Sequence, residues 1–136
     1  MQNRSFKLTS FLALLIFISN SIFAQVNWEK YSGNPVIPSS GYDYYYTLAP
    51  SIIFDDSTNT FHCWFTSRIL GAGLRISYAY SSDGVNWTKY TGNPVLSPTQ
   101  GTFDESEIKG CSVIKDNVGY KMYYTGYKSS VKLSMK

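Results

Sequence analysis

Beyond an apolar run from Phe11 to Ile18, apolar and polar residues trade places in short segments without helical spacing. Leu48 to Phe54 and Thr60 to Thr66 are rich in β-branched and aromatic residues, and Asp55, Asp56, Ser57 and Asn59 between them carry turn chemistry. Two strands joined by a tight turn are therefore predicted. Leu74 to Ser81 predicts a third strand, and the turn Ser82-Asp83-Gly84 sends the chain back through Val85 to Tyr90 as a fourth. Asp-Gly between alternating segments is a strong hairpin signal, so the strands are expected to be antiparallel neighbours in an all-β fold.

Nearly the whole of this pattern occurs twice. Trp28 to Val36 reads WEKYSGNPV and Trp87 to Val95 reads WTKYTGNPV, an offset of 59 residues. Gly41, Tyr42 and Asp43 then answer Gly101, Phe103 and Asp104, while Ser51, Ile52, Ile53 and Asp55 answer Ser112, Val113, Ile114 and Asp116. After a shorter turn, Phe61 to Thr66 (FHCWFT) answers Tyr120 to Thr125 (YKMYYT). Repetition at such a period is the mark of a repeat architecture.

Four antiparallel strands per unit describe the blade of a β-propeller. The first blade is expected over about residues 43–96 and the second, incomplete, over about 104–136. Val131 to Lys136 (VKLSMK) aligns with Leu74 to Ala79 (LRISYA), so the second copy stops inside a third strand. The sequence thus reads as the N-terminal piece of a longer protein, with a small open β-sandwich as the alternative. Residues 25–136 alone are expected to be poorly soluble and catalytically silent, because repeat folds need at least three units to bury a continuous core.

The start of the chain changes the accounting. Arg4 and Lys7, the apolar run, and Ser19, Asn20, Ser21 and Ala24 have the layout of an export signal over residues 1–24, cleaved before Gln25. Eight continuous apolar residues are too few to cross a bilayer core, which takes about 20. Gln25, and not a cysteine that could carry a lipid, stands directly after Ala24, so a secreted or periplasmic product without a membrane anchor is expected. The remaining chain holds ten basic against nine acidic residues, which excludes electrostatic nucleic-acid binding. The aromatic content of the whole sequence, 17% against 15% charged residues, suits a chain that packs.

Cys63 and Cys111 are too few for a disulfide scaffold, and each lies in an apolar strand-like stretch. Free buried thiols are expected, although one bridge is possible. Two cysteines and one histidine without close spacing make no zinc site, and neither metal nor cofactor is expected.

The order of NPV, Gly-aromatic-Asp, PSIIFD, FHCWFTS and LRISYAYSSDGVNW resembles the five-bladed propeller glycoside hydrolases, the group of families 43, 32 and 130. The likeness covers about residues 28–136 and is more specific for architecture than for activity. It implies that reactive carboxylates project into a central funnel from the innermost strands. Glycosidic hydrolysis needs one carboxylic acid at the leaving oxygen and a second carboxylate on the anomeric side. Positions meeting that description are Asp43, Asp104 and Glu107 as catalytic candidates. Tyr44, Tyr45, Tyr46 and Glu105 are candidates for substrate contact, the tyrosines because sugar C–H faces stack on aromatic rings. Asp43 and Asp104 recur with the repeat, which also fits a loop-fixing role, and the tyrosines also fit a strand burying alternate rings. Asp43 to Tyr46 and Asp104 to Glu107 are expected side by side at the starts of adjacent inner strands. Glu105 and Glu107 would share one face there, with Asp104 opposite if the segment is already strand, and Asp43 with Asp104 is the favoured pair because a loop before a strand can re-aim a side chain.

The chain departs from family 43 in two places. Ala49 stands before Pro50 where an Asp base is usual, and Lys109-Gly110-Cys111 replaces the usual Glu-Gly-Pro. Either the catalytic blades lie downstream of Lys136 or the branch is a divergent one. Asp83 with Trp87 is similar to the Asp-box turn of sialidases, one residue shorter, and is expected to be structural. His62 is expected in blade packing or at the surface, and Arg75, matched by Lys132, in packing or beside a carboxylate. Asn86-Trp87-Thr88 is a glycosylation sequon, meaningful in a eukaryotic source. The expected function is a secreted or periplasmic glycoside hydrolase with a carbohydrate substrate of the arabinose, xylose, fructose or mannose type. A non-catalytic glycan-binding propeller and a protein-interaction scaffold are the alternatives.

Overall fold

The computed structural model describes residues 27–41 and 47–128. The export signal, Asp43, Tyr44, Tyr45, Tyr46 and the segment Val131 to Lys136 lie outside the described residues. The chain divides into a unit ending at Ser32 and a unit from Gly33 onward. In the first, residues 27–32 are described and carry no strand.

The second unit is all-β and antiparallel. Strands β1 (Thr47–Asp55), β2 (Thr60–Ile69), β3 (Gly73–Ser81) and β4 (Thr88–Lys89) form one four-stranded sheet in sequence order, and β5 (Glu107–Lys115) pairs with β6 (Tyr120–Tyr127) in a second. The first three strands fall where the apolar alternation predicts them. The fourth is shorter than expected, and the reason lies in the turn before it. Asp83 accepts hydrogen bonds from the amides of Val85 (2.8 Å) and Asn86 (2.7 Å), which curls residues 83–86 away from the β3 edge. After β4 the edge of β3 is taken up again by Val95 and Leu96, whose amides both reach the carbonyl of Ile76.

Between these two stretches Asn93 substitutes for a strand. Its side-chain oxygen accepts from the Tyr78 amide and its side-chain nitrogen donates to the Tyr78 carbonyl, each at 2.8 Å. This explains one polar residue of the repeated Gly-Asn-Pro-Val: the carboxamide presents a donor and an acceptor, as a peptide group does. The Asn–Pro bond is cis in both copies, at Pro35 and Pro94.

Cys63, Phe65 and Ala79 form a fully buried cluster on one face of the first sheet, with Ile37 and Trp87 packed against it. The Trp87 indole N–H is satisfied by the carbonyl of Gly84 at 2.9 Å, so a large ring is buried without an orphaned donor. Burial pushes the Cys63 thiol up to about 12, and both cysteines are free.

The second sheet packs on the other face of the first. The outer edge of β5 is not left bare. The amide of Val113 donates to the Ser51 hydroxyl and that of Gly110 to the Thr66 hydroxyl, both at 2.9 Å. At the far end Asp55, almost fully buried, receives Lys115 at 2.6 Å, the Tyr120 hydroxyl at 2.7 Å and the Ser57 hydroxyl at 2.6 Å. These partners, Lys115 foremost, hold its carboxyl well below the usual range.

Candidate functional site

Three carboxylates, Asp104, Glu105 and Glu107, stand close in sequence at the entry to β5, each turned to its own partners. The strand begins at Glu107, so Asp104 and Glu105 lie in the preceding turn and not in extended chain. The expected alternation of Glu105 and Glu107 against Asp104 therefore does not apply. The turn forms because Asp104 gathers local donors. Its Oδ1 receives the Thr102 hydroxyl and the Thr99 amide (3.3 Å), and its Oδ2 receives the Tyr124 hydroxyl at 3.0 Å.

Asp104 is 3% exposed, and its pKa lies below the ordinary value because these bonds, that from Thr102 first, outweigh the cost of burial. A carboxylate so held stays ionised at neutral pH. That suits an anion fixing a loop and does not suit a general acid. Phe103, 63% exposed, stacks on the Tyr124 ring with centroids 5.8 Å apart. Gly126 makes room for the turn, since a Cβ there would stand 2.4 Å from the Asp104 Cβ.

Glu105 is tied more loosely: its Oε2 accepts from the Gly101 amide at 3.3 Å and lies 3.8 Å from the Lys128 ammonium. Glu107 approaches β3, with Oε1 3.0 Å from where a Gly73 Cβ would stand. Its charge raises the pKa of Arg75, against a larger lowering by burial. Arg75 thus has the carboxylate neighbour expected of it, and it donates to the Leu74 carbonyl at 2.8 Å.

A second feature was not foreseen. His62, Trp64, Tyr78, Tyr90, Val95 and Tyr120 line an open depression of about 290 Å³ between the sheets. The His62 ring lies 5.9 Å from that of Tyr78 and 6.0 Å from that of Trp64, and the Trp64 and Tyr120 centroids are 5.2 Å apart. His62 Nδ1 bonds the Tyr78 hydroxyl at 2.5 Å, while its buried Nε2 has no partner among the described residues. The alternation of β2 contained the signal, since His62 and Trp64 share a face. That Tyr78, Tyr90 and Tyr120 meet them depends on the packing of two sheets.

Asp83 accepts from Asn86, Val85 and Ser81, which lowers its pKa and assigns it to its own turn. Among the described residues no group of three or more His, Cys, Asp or Glu could hold a metal, and no helix is long and apolar enough to cross a membrane. No family model and no curated protein matches this chain.

Proposed function

We propose that this chain belongs to an exported glycoside hydrolase of the β-propeller type, secreted or periplasmic, acting on glycosidic bonds of oligo- or polysaccharides. One observation carries the reading. The second sheet lies on a face of the first, and its two strands pair as β1 and β2 do, with a register shift near the start of the first strand, an arrangement that suits successive propeller blades. On this reading β5 is an innermost strand, and the acidic segment stands at its entry. Within it Glu105 and Glu107 take the reactive parts together with Asp43, and Asp104 holds the turn that aims them.

The test is sugar release from arabino-, xylo-, fructo- and manno-oligosaccharides by the protein that carries this chain. Glu105→Gln, Glu107→Gln and Asp43→Asn are each expected to lower turnover, by about 10²-fold where a general acid or base is lost. Asp104→Asn should lower it too, by loosening the turn that Thr102, Thr99 and Tyr124 hold. Wild-type turnover in all four variants would sink the assignment.

The aromatic depression favours a second reading, a non-catalytic glycan-binding propeller. Under it, oligosaccharides shift Trp64 fluorescence and no sugar is released.

A further inference from the structure

The interface between the two sheets uses chemistry that the repeat carries twice. The first sheet offers the face of Ser51, Ile53, His62, Trp64 and Thr66, and the second sheet covers it. Their counterparts in the second sheet are Ser112, Ile114, Lys121, Tyr123 and Thr125, on the side away from the first sheet. That face is open: Ile114 is 46% and Tyr123 64% exposed, and Ser112 and Thr125 are exposed as well.

The complementary surface is also present twice. The second sheet docks through β5, whose Val113 is buried against the first sheet and whose edge amides reach Ser51 and Thr66. The counterparts of Val113 and Lys115 on β1 are Ile52 and Phe54, which are 53% and 42% exposed. Among the described residues β1 is likewise the outer strand of its sheet. Its register with β2 repeats that of β5 with β6, including the bulge, so the Ile52 amide occupies the place of the Val113 amide.

From this continuity with the internal interface we propose that a second copy of this chain docks head to tail. The β1 edge and the Ile52 and Phe54 side chains of one copy lie on the Ser112, Ile114, Tyr123 and Thr125 face of the next. The Ile52 amide then donates to Ser112 Oγ as Val113 does to Ser51. The ion pair of the internal interface is not repeated, since Phe54 stands where Lys115 stands. Asp116, the counterpart of Asp55, is already served by Lys121 of its own sheet. The contact joins two different surfaces, so each added copy leaves one of each open, and growth ends only where the rotation closes a ring.

Sedimentation of the full chain over a concentration series tests this. The wild type should associate reversibly. Ile52→Lys, which spoils one surface, and Tyr123→Lys, which spoils the other, should each abolish association. An equimolar mixture of the two should form a one-to-one dimer and nothing larger, because one sound surface remains on each. Phe54→Lys and Ile114→Lys repeat the test if circular dichroism shows the first pair altered. A monomeric wild type overturns the proposal, as does association that persists in the variants. A mixture that stays monomeric overturns it too, since that result belongs to a symmetric interface.

Discussion

Ala49 and Gly110 hold the same position in successive copies of the repeat, and both lie in the left-handed region, at φ +46° and +59°. Each marks the bulge that re-sets the register of its strand, between Leu48 and Ser51 in β1 and between Lys109 and Cys111 in β5. The geometry belongs to the fold, then, and one copy meets it with a residue poorly suited to it.

An L-residue in this region costs roughly 1–2 kcal/mol that glycine avoids. Ala49→Gly should therefore stabilise the protein by about 1 kcal/mol, and Gly110→Ala should cost about the same. A Cβ on Gly110 would meet no atom within 4 Å, so backbone conformation alone is at issue. Denaturant midpoints of the two variants would have to move in opposite directions.

The Asp55 site predicts an acid-side loss of stability. Its folded-state pKa is depressed, chiefly by Lys115, so the stabilisation is complete above the unfolded carboxyl value and fades as pH falls toward the folded one. Melting temperature should drop between about pH 5 and pH 2. Asp55→Asn should be less stable at neutral pH and lose less on acidification.

Gly126 tests the packing beneath the acidic turn. A Cβ there would approach the Asp104 Cβ to 2.4 Å and the Phe103 ring to 2.6 Å. Overpacking of this kind costs about 1–3 kcal/mol. Gly126→Ala should lower the melting point and, under the hydrolase reading, reduce turnover along with it.

Asn93→Leu removes a donor and an acceptor from the Tyr78 backbone together. A loss of about 1–3 kcal/mol is expected, with faster hydrogen exchange at the Tyr78 amide. Unchanged exchange at that amide would show that the carboxamide does not close the β3 edge in solution.

The strands β1 to β3 were legible because each buries one face against its neighbours, and burial writes itself into period-two alternation. β4 was not, since Asp83 draws Val85 and Asn86 into a turn through local bonds that the apolar pattern does not record. The acidic segment before Ile108 was legible as a candidate through its residue types. Its geometry was not, because what sets it is Tyr124, twenty residues onward and on another strand, donating to Asp104. The aromatic depression escaped for a similar reason: Tyr120 joins His62 and Trp64 only once the two sheets have packed.

The buried thiol of Cys63 gives the molecule a built-in clock. A thiol alkylates as the thiolate, and one pushed up to about 12 with no exposed surface offers almost none at neutral pH. Its labelling must therefore wait for the cover of Ile37 and Trp87 to lift from that face, and the rate of modification at that one sulfur counts the openings of the core.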